Sequence, residues 1–517
     1  MRTSKVFRGF LAAGGMLTLL MALPNHAYSQ LAGSGTITGS VTDPSGAVVP
    51  AADITIRNTD TGIERKIGTT DAGLYTAVFL PPGHYEVEAR KAGFANTMRK
   101  ELVLQVGQTL TINLSLAVQT STQEVTVVAG ASVVDTEKTD VSQVVSADAV
   151  SNLPIGGRRW DQLALTSPNA TTDGTSGLVS FRGISGLYNN NMVDGANNNQ
   201  ALFSEGRARA NSGAYVFSMD SMLEYQVNSS NYSAELGQAA GGVVNAVTKS
   251  GTNTVHGDLF YYLRYPTWNA LDSFPKSQGN YTQPIHQWQQ FGGSVGGPII
   301  KDKLFYFGTY DGSRKVNPIA YTSSSYNSST RALPCTAVVT ATQCANANQY
   351  LYGLLGTFPR ATNQDVGFGK LESLITPRNR VAASFDFMNY RAPNAYQTAP
   401  SYNNSSVSSN GSYIFHERIF VTNWDSTISP TALNNVRFQW GRDLEAAGAN
   451  GTAPYVSLAS VATYGENYAL PRTALWRELR AAAHGGAGRT PHPDFRHAFR
   501  QPRAPHHQDG IRFEYHP

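Results

Sequence analysis

The sequence has few cysteines, little charge and no internal apolar run as long as a membrane-spanning helix. Only two cysteines occur in 517 residues, and the sequence beside them offers no further metal ligands. This lack of ligands excludes a zinc module there. Charged residues make up 15% of the chain and the formal net charge is +4, so no basic face for a nucleic acid is expected. A membrane-embedded form of this chain would therefore have to be a β-barrel. We predict no metal site, no cofactor and no nucleic-acid partner.

The first 29 residues have the pattern of a secretory signal peptide. Arg2, Lys5 and Arg8 form a basic start, Phe10–Leu23 is apolar, and small residues lead up to Ser29. The apolar stretch is shorter than the roughly 20 residues that a membrane-spanning helix needs, which favours cleavage near Ser29 over a retained anchor. The mature chain is therefore expected to be exported.

Export favours a disulfide between the two cysteines. Cys335 and Cys344 lie in a Thr-, Ala- and Asn-rich segment that is predicted to be a loop, and a bond between them would staple it. Free thiols are the alternative.

Residues 35–117 alternate between short β-type segments and Gly- or Pro-containing turns. This spacing predicts a small β-sandwich, because Gly and Pro set tight turns while the short segments form strands. The lone His84 falls in a turn and is interpreted as solvated. The predicted strands are Thr36–Val41, Asp53–Arg57, Tyr75–Phe79, Tyr85–Arg90 and Thr109–Leu116.

The sequence of this unit resembles that of the carboxypeptidase regulatory-like domain, a transthyretin-like sandwich. The resemblance covers the whole unit, from GTITGSVTDPSG to HYEVEARKAGF. It implies an accessory module without peptidase activity, assigned here to residues 30–119.

A short Val-rich segment follows in the linker, residues 120–130. By itself it could be one more strand. Its position, between an N-terminal extension and the next domain, resembles that of the TonB box of outer-membrane transporters. Such a segment can add to a partner sheet through backbone hydrogen bonds. The resemblance implies that TonB binds Glu124, Val125, Thr126, Val127, Val128 and Ala129.

Residues 131–250 contain a series of ordered motifs. They include Leu153-Pro154 with Arg158, Arg182-Gly183, Val193-Asp194-Gly195, and a run from Tyr232 to Asn253. Together they resemble the plug domain (α+β) of Oar-like TonB-dependent receptors. The resemblance implies that residues 182–199 form plug loops that rise toward the outer mouth and contact the substrate, although they could be ordinary polar loops. The predicted substrate-binding residues are Arg182, Asn189, Asn190, Asn191, Asp194, Asn197 and Asn198.

From residue 251 to 475 apolar and polar residues alternate with period two. Leu259, Tyr261 and Leu263 fall on one face of a segment, and the same pattern recurs around Phe385 and Phe438. Apolar-out, polar-in alternation is typical of transmembrane β-strands, although a soluble sandwich gives a similar pattern. We predict about five to eight antiparallel barrel strands, a turn at Asp311-Gly312, and long loops at Ser313–Leu333 and Tyr396–Ser412.

The barrel is expected to be incomplete, because transporters of this kind close 22 strands, whereas only about five to eight can be placed in residues 251–475. After Leu475 the alternation is interpreted as lost, and six of the 11 His residues lie in 476–517 among Arg and Pro. A frameshift or sequencing error is the favoured interpretation of this tail, with a genuine His-rich tail as the alternative. The fold class is thus mainly β: a sandwich, a plug and an incomplete transmembrane β-barrel.

By resemblance, the protein is a TonB-dependent receptor in the outer membrane of a Gram-negative cell, with its sandwich in the periplasm. Its partners would be TonB, outer-membrane lipid and an unknown extracellular substrate, and this copy is expected to be a non-functional fragment. The alternative is a surface protein that binds carbohydrate or another cell without transport. A secreted hydrolase has little support, because the one GxSxG match, at Ser294, lies in a predicted barrel strand and not in a strand-to-helix turn.

Overall fold

The structure is a computed structural model. It describes residues 33–118, 125–128, 140–155, 158–174, 178–200, 204–207, 214–233, 236–268, 287–322, 340–395, 401–403, 407, 410–429, 432–449 and 508–516. The predicted signal peptide lies outside these ranges. No helix in the described ranges is long and apolar enough to cross a membrane.

The N-terminal unit is a sandwich of two sheets. In one sheet β1 pairs with β4, β7 and β8, and in the other the order is β3-β2-β5-β6-β9. All five predicted strands are present, and two further strands, β3 and β6, were missed because their charged residues hide the period-two pattern. The strands are β1 (Gly35–Thr42), β2 (Asp53–Asn58), β3 (Glu64–Gly68), β4 (Leu74–Leu80), β5 (Gly83–Arg90), β6 (Thr97–Leu104), β7 (Thr109–Thr111), β8 (Leu114–Ser115) and β9 (Val125–Val128).

The predicted strand Thr109–Leu116 is interrupted between β7 and β8. Tyr75 donates a hydrogen bond from its hydroxyl to the Ile112 carbonyl, and Asn113 accepts one from the Ser40 backbone N–H. The side chains of Tyr75 in β4 and of Asn113 itself thus bond to backbone groups where the strand is interrupted. Alternate residues of β1, β2 and β5 form the core of the sandwich, with Ile37, Ile54 and Val87 fully buried.

The second unit is built around a five-stranded sheet in the order β10-β15-β16-β13-β14. Nearly every residue of β15 and β16 is buried, because one face lies in the core with the unit's own helical turns, and Glu224 and Gln226 on the other face lie against the sandwich loop after β6. Its helix is Ala147–Asn152, with 3-10 turns at Trp160–Thr166, Gly186–Tyr188 and Met219–Ser221. Its strands are β10 (Val141–Val145), β11 (Ala170–Asp173), β12 (Leu178–Phe181), β13 (Asn190–Val193), β14 (Ala196–Asn197), β15 (Met222–Ser230) and β16 (Val243–Thr248).

The third unit is one large sheet whose main path is antiparallel and follows chain order from β17 to β25, except that the short strand β22 pairs in parallel with the end of β19. Its two edges, β17 and β25, are not paired with each other, so the described strands form an open sheet. The seven long strands between residues 256 and 449 fall within the predicted five to eight. The strands are β17 (His256–Arg264), β18 (Gln287–Ile300), β19 (Leu304–Thr322), β20 (Gly356–Thr376), β21 (Asn379–Ala392), β22 (Ser401–Asn403), β23 (Gly411–Ser429), β24 (Ala432–Ala449) and β25 (Gln508–His516).

The alternation of this sheet is as predicted. Leu259, Tyr261 and Phe385 point away from the plug and are exposed, whereas Asp386 and Arg437 on the opposite face are buried. This outer apolar face and inner polar face, together with the open edges, agree with the predicted mainly β fold and incomplete barrel.

The predicted turn at Asp311-Gly312 is wrong. Both residues lie inside β19, where Asp311 pairs with Gly292 on one side and Val366 on the other. The Asp311 carboxylate is buried and accepts hydrogen bonds from Tyr215, Ser218 and Gln290. Because the plug supplies two of these donors and the neighbouring strand β18 supplies the third, an Asp-Gly pair that would favour a turn in isolation is stable within a strand.

The connections between strands differ in length at the two ends of the sheet. Residues 301–303, 377–378 and 430–431 join successive strands at one end. At the other end, residues 265–286, 323–355 and 393–410 separate them, and the short strand β22 lies within the last of these. We refer to these as the short-turn end and the long-loop end.

Three further segments differ from the sequence prediction. Residues 313–322, which were predicted to begin a long loop, continue strand β19 as far as Thr322. Cys344 lies in a helix, Ala341–Leu354, where a loop was predicted; the segment contains good helix formers and no proline. Within the tail, β25 pairs antiparallel with β24, from Asn435↔His516 to Asp443↔Gln508. The alternation was therefore not lost throughout the tail, because Ile511, Phe513 and Tyr515 retain the period of a strand.

Candidate functional site

The predicted TonB-coupling segment is described for its four central residues. Val125–Val128 form β9, which pairs in parallel with β6 of the sandwich, from Thr97↔Val125 to Lys100↔Val128. Glu124 and Ala129, the two ends of the predicted segment, lie outside the described residues. The extended conformation that strand addition requires is thus present at residues 125–128.

The predicted substrate-binding residues of the plug separate into two groups. Strand β15 runs from Met222 near the short-turn end to Ser230 near the long-loop end, and β13 begins beside Val243 at that same far end. Arg182 reaches Ser230 Oγ at 3.4 Å and remains exposed, so it lies near the long-loop end. Asp194, four residues beyond the start of β13, lies at the opposite end.

Most of the predicted asparagines hold the plug together, and three of them, Asn190, Asn191 and Asn197, lie in strands β13 and β14 and not in free loops. Asn189 Nδ2 donates to the Val179 carbonyl at 2.6 Å, and its Oδ1 accepts from Gly242 N. Asn190 Nδ2 donates to the Gly237 carbonyl at 2.7 Å. The remaining members bond within the same cluster or to the barrel: Asn191 to Asn199, Asn197 to Gln238 and Gln439, and the Asn198 N–H to the Asn191 carbonyl.

Asp194 fastens the plug to the barrel sheet. Its carboxylate accepts hydrogen bonds from the backbone N–H and Oγ1 of Thr248, at 2.8 and 2.6 Å, and lies 3.3 Å from Lys370 Nζ of β20. The backbone of Asp194 has a positive φ of 50°, in the region that Asp tolerates better than most residues. Asp194 therefore holds Thr248 of the plug close to Lys370 of the barrel sheet at the short-turn end.

The sandwich is docked on the plug through the loop between β6 and β7. Val106 is fully buried, and its N–H donates to Glu224 Oε2 of β15 at 2.8 Å. Burial raises the pKa of the Glu224 carboxyl to about 7. Gly107 has a φ of +67° and leaves no space for a Cβ beside the Gln226 side chain, so a glycine is required for this close approach.

The sandwich also contacts the short-turn end of the barrel sheet. Arg65 donates from Nη2 to Thr427 Oγ1, near the end of β23, at 2.9 Å. The Asn253 N–H, in the segment between β16 and β17, donates to the Asp60 carbonyl at 2.9 Å, and Asn253 Nδ2 donates to Asp302 in the short turn 301–303. Between sandwich, plug and sheet lies a cavity of about 520 Å³. Its wall carries both signs of charge, from Asp60, Glu64, Arg65, Lys249, Lys370, Glu372 and Arg378.

Several plug-to-barrel contacts were not singled out by sequence reasoning. The Arg158 guanidinium lies 2.6 Å from Asp220 and stacks 4.4 Å above the centre of the Phe260 ring of β17. Arg207 forms ion pairs with Asp443 and, at 3.5 Å, with Glu417. For Arg207 the only sequence signal is an acidic residue at an inward position of a barrel strand. Arg158 pairs with Asp220 of the plug itself, 62 residues away, so no barrel position indicates that contact.

The described residues offer little for catalysis. None of the described His, Cys, Asp and Glu residues form a group of three or more that could hold a metal ion. Ser294 lies in the middle of β18, paired with Asp258 and Thr309, and its hydroxyl bonds to the Asp258 carboxylate. Cys344 is disulfide-bonded, and the predicted partner Cys335 lies outside the described residues.

Two family models match the sequence of this chain. Residues 36–117 match the carboxypeptidase regulatory-like domain, which corresponds to the sandwich. Residues 247–332 match the outer membrane beta barrel domain, at the first strands of the open sheet. A curated relative, the TonB-dependent transporter Oar of Myxococcus xanthus, is 28% identical over 322 residues, which is 59% of this chain. The chain is a homologue of a TonB-dependent transporter.

The homologue Oar is much longer than the matched region, which spans 29% of its length. Solved structures that match part of this chain include the ferric enterobactin receptor PfeA of Pseudomonas aeruginosa, with a TM-score of 0.41 and 14% identity over 59% of this chain and 40% of that one. The outer membrane transporter YddB of Escherichia coli has a TM-score of 0.42 and 14% identity, over 60% of this chain and 40% of that one.

Proposed function

We propose that this chain supplies the sandwich, the plug and part of the barrel wall of a TonB-dependent outer-membrane receptor that imports an extracellular substrate. The observation that carries the proposal is the packing of the plug against the polar face of an amphipathic open sheet, whose apolar face is exposed. A face of Leu, Tyr and Phe is suited to lipid, while the inward Asp311, Lys370 and Arg437 are satisfied by the plug.

The ends of the sheet support an orientation in the membrane. Outer-membrane barrels have short periplasmic turns and longer extracellular loops. Because the sandwich contacts the short-turn end, we assign it to the periplasm, as residues 30–119 after cleavage near Ser29. In this orientation Arg182 and Asn189 lie on the extracellular side of the plug, which is residues 131–250. Asp194 lies on the periplasmic side, so we do not propose that it contacts the extracellular substrate.

We propose that residues 124–129 bind TonB and that the energy for import comes through TonB, with no hydrolysis by this chain. An open sheet exposes unpaired backbone groups of β17 and β25, which lipid cannot satisfy. Import is therefore proposed only for a barrel in which both edges are paired, and the described strands alone are not expected to transport. Cys335 and Cys344 are proposed to form the disulfide on the extracellular side.

The test is binding of the purified periplasmic domain of TonB to the full chain. Val127→Pro removes a backbone donor and disfavours the strand that TonB would pair with. We expect affinity to fall at least tenfold, while the control Thr122→Pro, in the same linker but outside the segment, binds like the parent chain. Equal binding by the two variants would contradict the assignment of the coupling segment.

A further inference from the structure

Strand β6 forms the outer edge of the sandwich's own sheet. On one side it pairs antiparallel with β5, and on the other its backbone is available to an added strand. Such an edge is a template for strand addition because its N–H and C=O groups have no partner within the sheet. The partner in this structure is β9, from the linker that follows the sandwich.

The part of the β6 edge that can pair with another strand has the same length as β9. Four residues, Thr97–Lys100, are in register with the four residues of β9. The next residue, Glu101, has a positive φ of 60°, and the β5–β6 register shifts between Tyr85 and Val87. This irregularity interrupts the straight edge and limits the docking surface to about the length of β9.

The linker keeps β9 close to this edge. Val118, the last described residue of the sandwich, forms a bridge with Phe94, three residues before β6 begins. Residues 119–124 are all that separate Val118 from β9. A tether of this length gives a high effective concentration, so even a four-residue pairing competes with a partner in solution.

We propose that the edge of β6 is a docking surface for the chain's own coupling segment, so that the sandwich and TonB compete for the backbone of Val125–Val128. This inference rests on the proposed function, in which that segment binds TonB by strand addition. The sandwich then acts as a reversible cover on the segment. Because the pairing involves only four residues and runs parallel, a partner that offers a longer or antiparallel strand can displace it.

The test uses the full chain with Cys335→Ser and Cys344→Ser, to which Met98→Cys and Thr126→Cys are added. These two positions are Cα partners across β6 and β9, and the roughly 4.8 Å between neighbouring strands lies within the Cα range of a disulfide. The matched control pairs Thr126→Cys with Val103→Cys, an exposed position on the same strand beyond the irregularity.

We expect mild oxidation to cross-link the in-register pair at least tenfold more than the control pair. Binding of the periplasmic domain of TonB should fall at least tenfold in the oxidised form and recover on reduction. Equal cross-linking of the two pairs overturns the docking. Equal TonB binding by the oxidised and reduced forms overturns the competition, and means that TonB adds to the free edge of β9 instead.

The outcomes also separate this inference from the proposed function. Selective cross-linking without TonB binding in either redox state overturns the proposed function and the competition together, but supports docking of residues 125–128 on β6. TonB binding without selective cross-linking leaves the proposed function standing and removes the inference.

Discussion

The sandwich and the plug differ in what completes their apolar cores. Every buried residue in the core of the sandwich comes from residues 37–116 of the sandwich itself. The core that contains Trp160, Phe217 and Tyr225 of the plug also includes residues of four barrel strands, among them Phe307, Val366, Phe368, Met388 and Phe415. The sandwich is therefore built to fold on its own, whereas the plug depends on the sheet around it.

The polar contacts show the same difference. Within the sandwich, the side chains of Asp43 and Asn58 accept hydrogen bonds from groups within four residues. The bond from the Ser45 hydroxyl, followed by that from the Ala47 N–H, lowers the pKa of the Asp43 carboxyl. In the plug, Tyr215 and Asp194 bond to residues of β19 and β20 that lie 96 and 176 residues away. Local bonds stabilise an autonomous module, and distant ones couple the plug to its surroundings.

Among the tests of this difference, we expect the largest loss of stability from Phe368→Ala in β20. The centre of the Phe368 ring lies 6.1 Å from that of Phe217 in the plug and 6.4 Å from that of Phe307. The Phe368 side chain is buried, with 5% of its surface exposed. Removing it should destabilise plug and sheet together by about 3–5 kcal/mol. Hydrogen exchange should then increase in both, while the sandwich is unchanged.

The control for this variant is Leu371→Ala, three residues along the same strand but half-exposed on the outer face. In detergent it should change exchange little. If Phe368→Ala increased exchange in the sandwich as much as in the plug, the two cores would not be independent.

The reverse test is Ile54→Ala in β2. Ile54 is fully buried within the sandwich, so its truncation should cost about 2–5 kcal/mol there. Exchange should rise at β1, β2 and β5 and remain slow at β15 and β16. The exposed Val48→Ala serves as the control; loss of protection in the plug would show that it needs the sandwich to fold.

The smallest expected effect concerns the contact between the two units. Burial raises the pKa of Glu224 to about 7, above its usual 4.5, so the docked state binds more protons than the undocked one. Docking is therefore favoured below pH 4.5 and is progressively weakened as the pH rises through 7. Between pH 5.5 and 8.5 the docking equilibrium should weaken by more than about tenfold.

Spin labels can follow this equilibrium at Val48→Cys on the sandwich and Leu153→Cys on the plug, both exposed. The fraction with the long distance should increase with pH in the parent chain. In Glu224→Gln the pH dependence should disappear, because an amide does not titrate in this range. A pH dependence that persists in this variant would assign it to another group.

Much of the fold was predictable from local patterns. The period-two alternation around Leu259 and Phe385 predicted which face of the barrel sheet is apolar, and turn residues such as Gly46 and Gly73 separated the strands of the sandwich. The surroundings of the candidate site were less predictable. Substrate contact by Asn189 and Asn190 stays a prediction, but their side chains bond to backbone groups 10 and 47 residues away, which no local pattern records.

The sequence by itself determined the class of each unit, because strand periodicity and turn residues act over a few positions. It also determined the apolar and polar faces of the barrel strands. The tertiary structure alone decided that Asp311 lies within a strand, that Asp194 pairs with Lys370, and that Val125–Val128 rest on the edge of β6. Each of these depends on a partner brought close by the fold, and the energy of that contact outweighs the local preference of the chain.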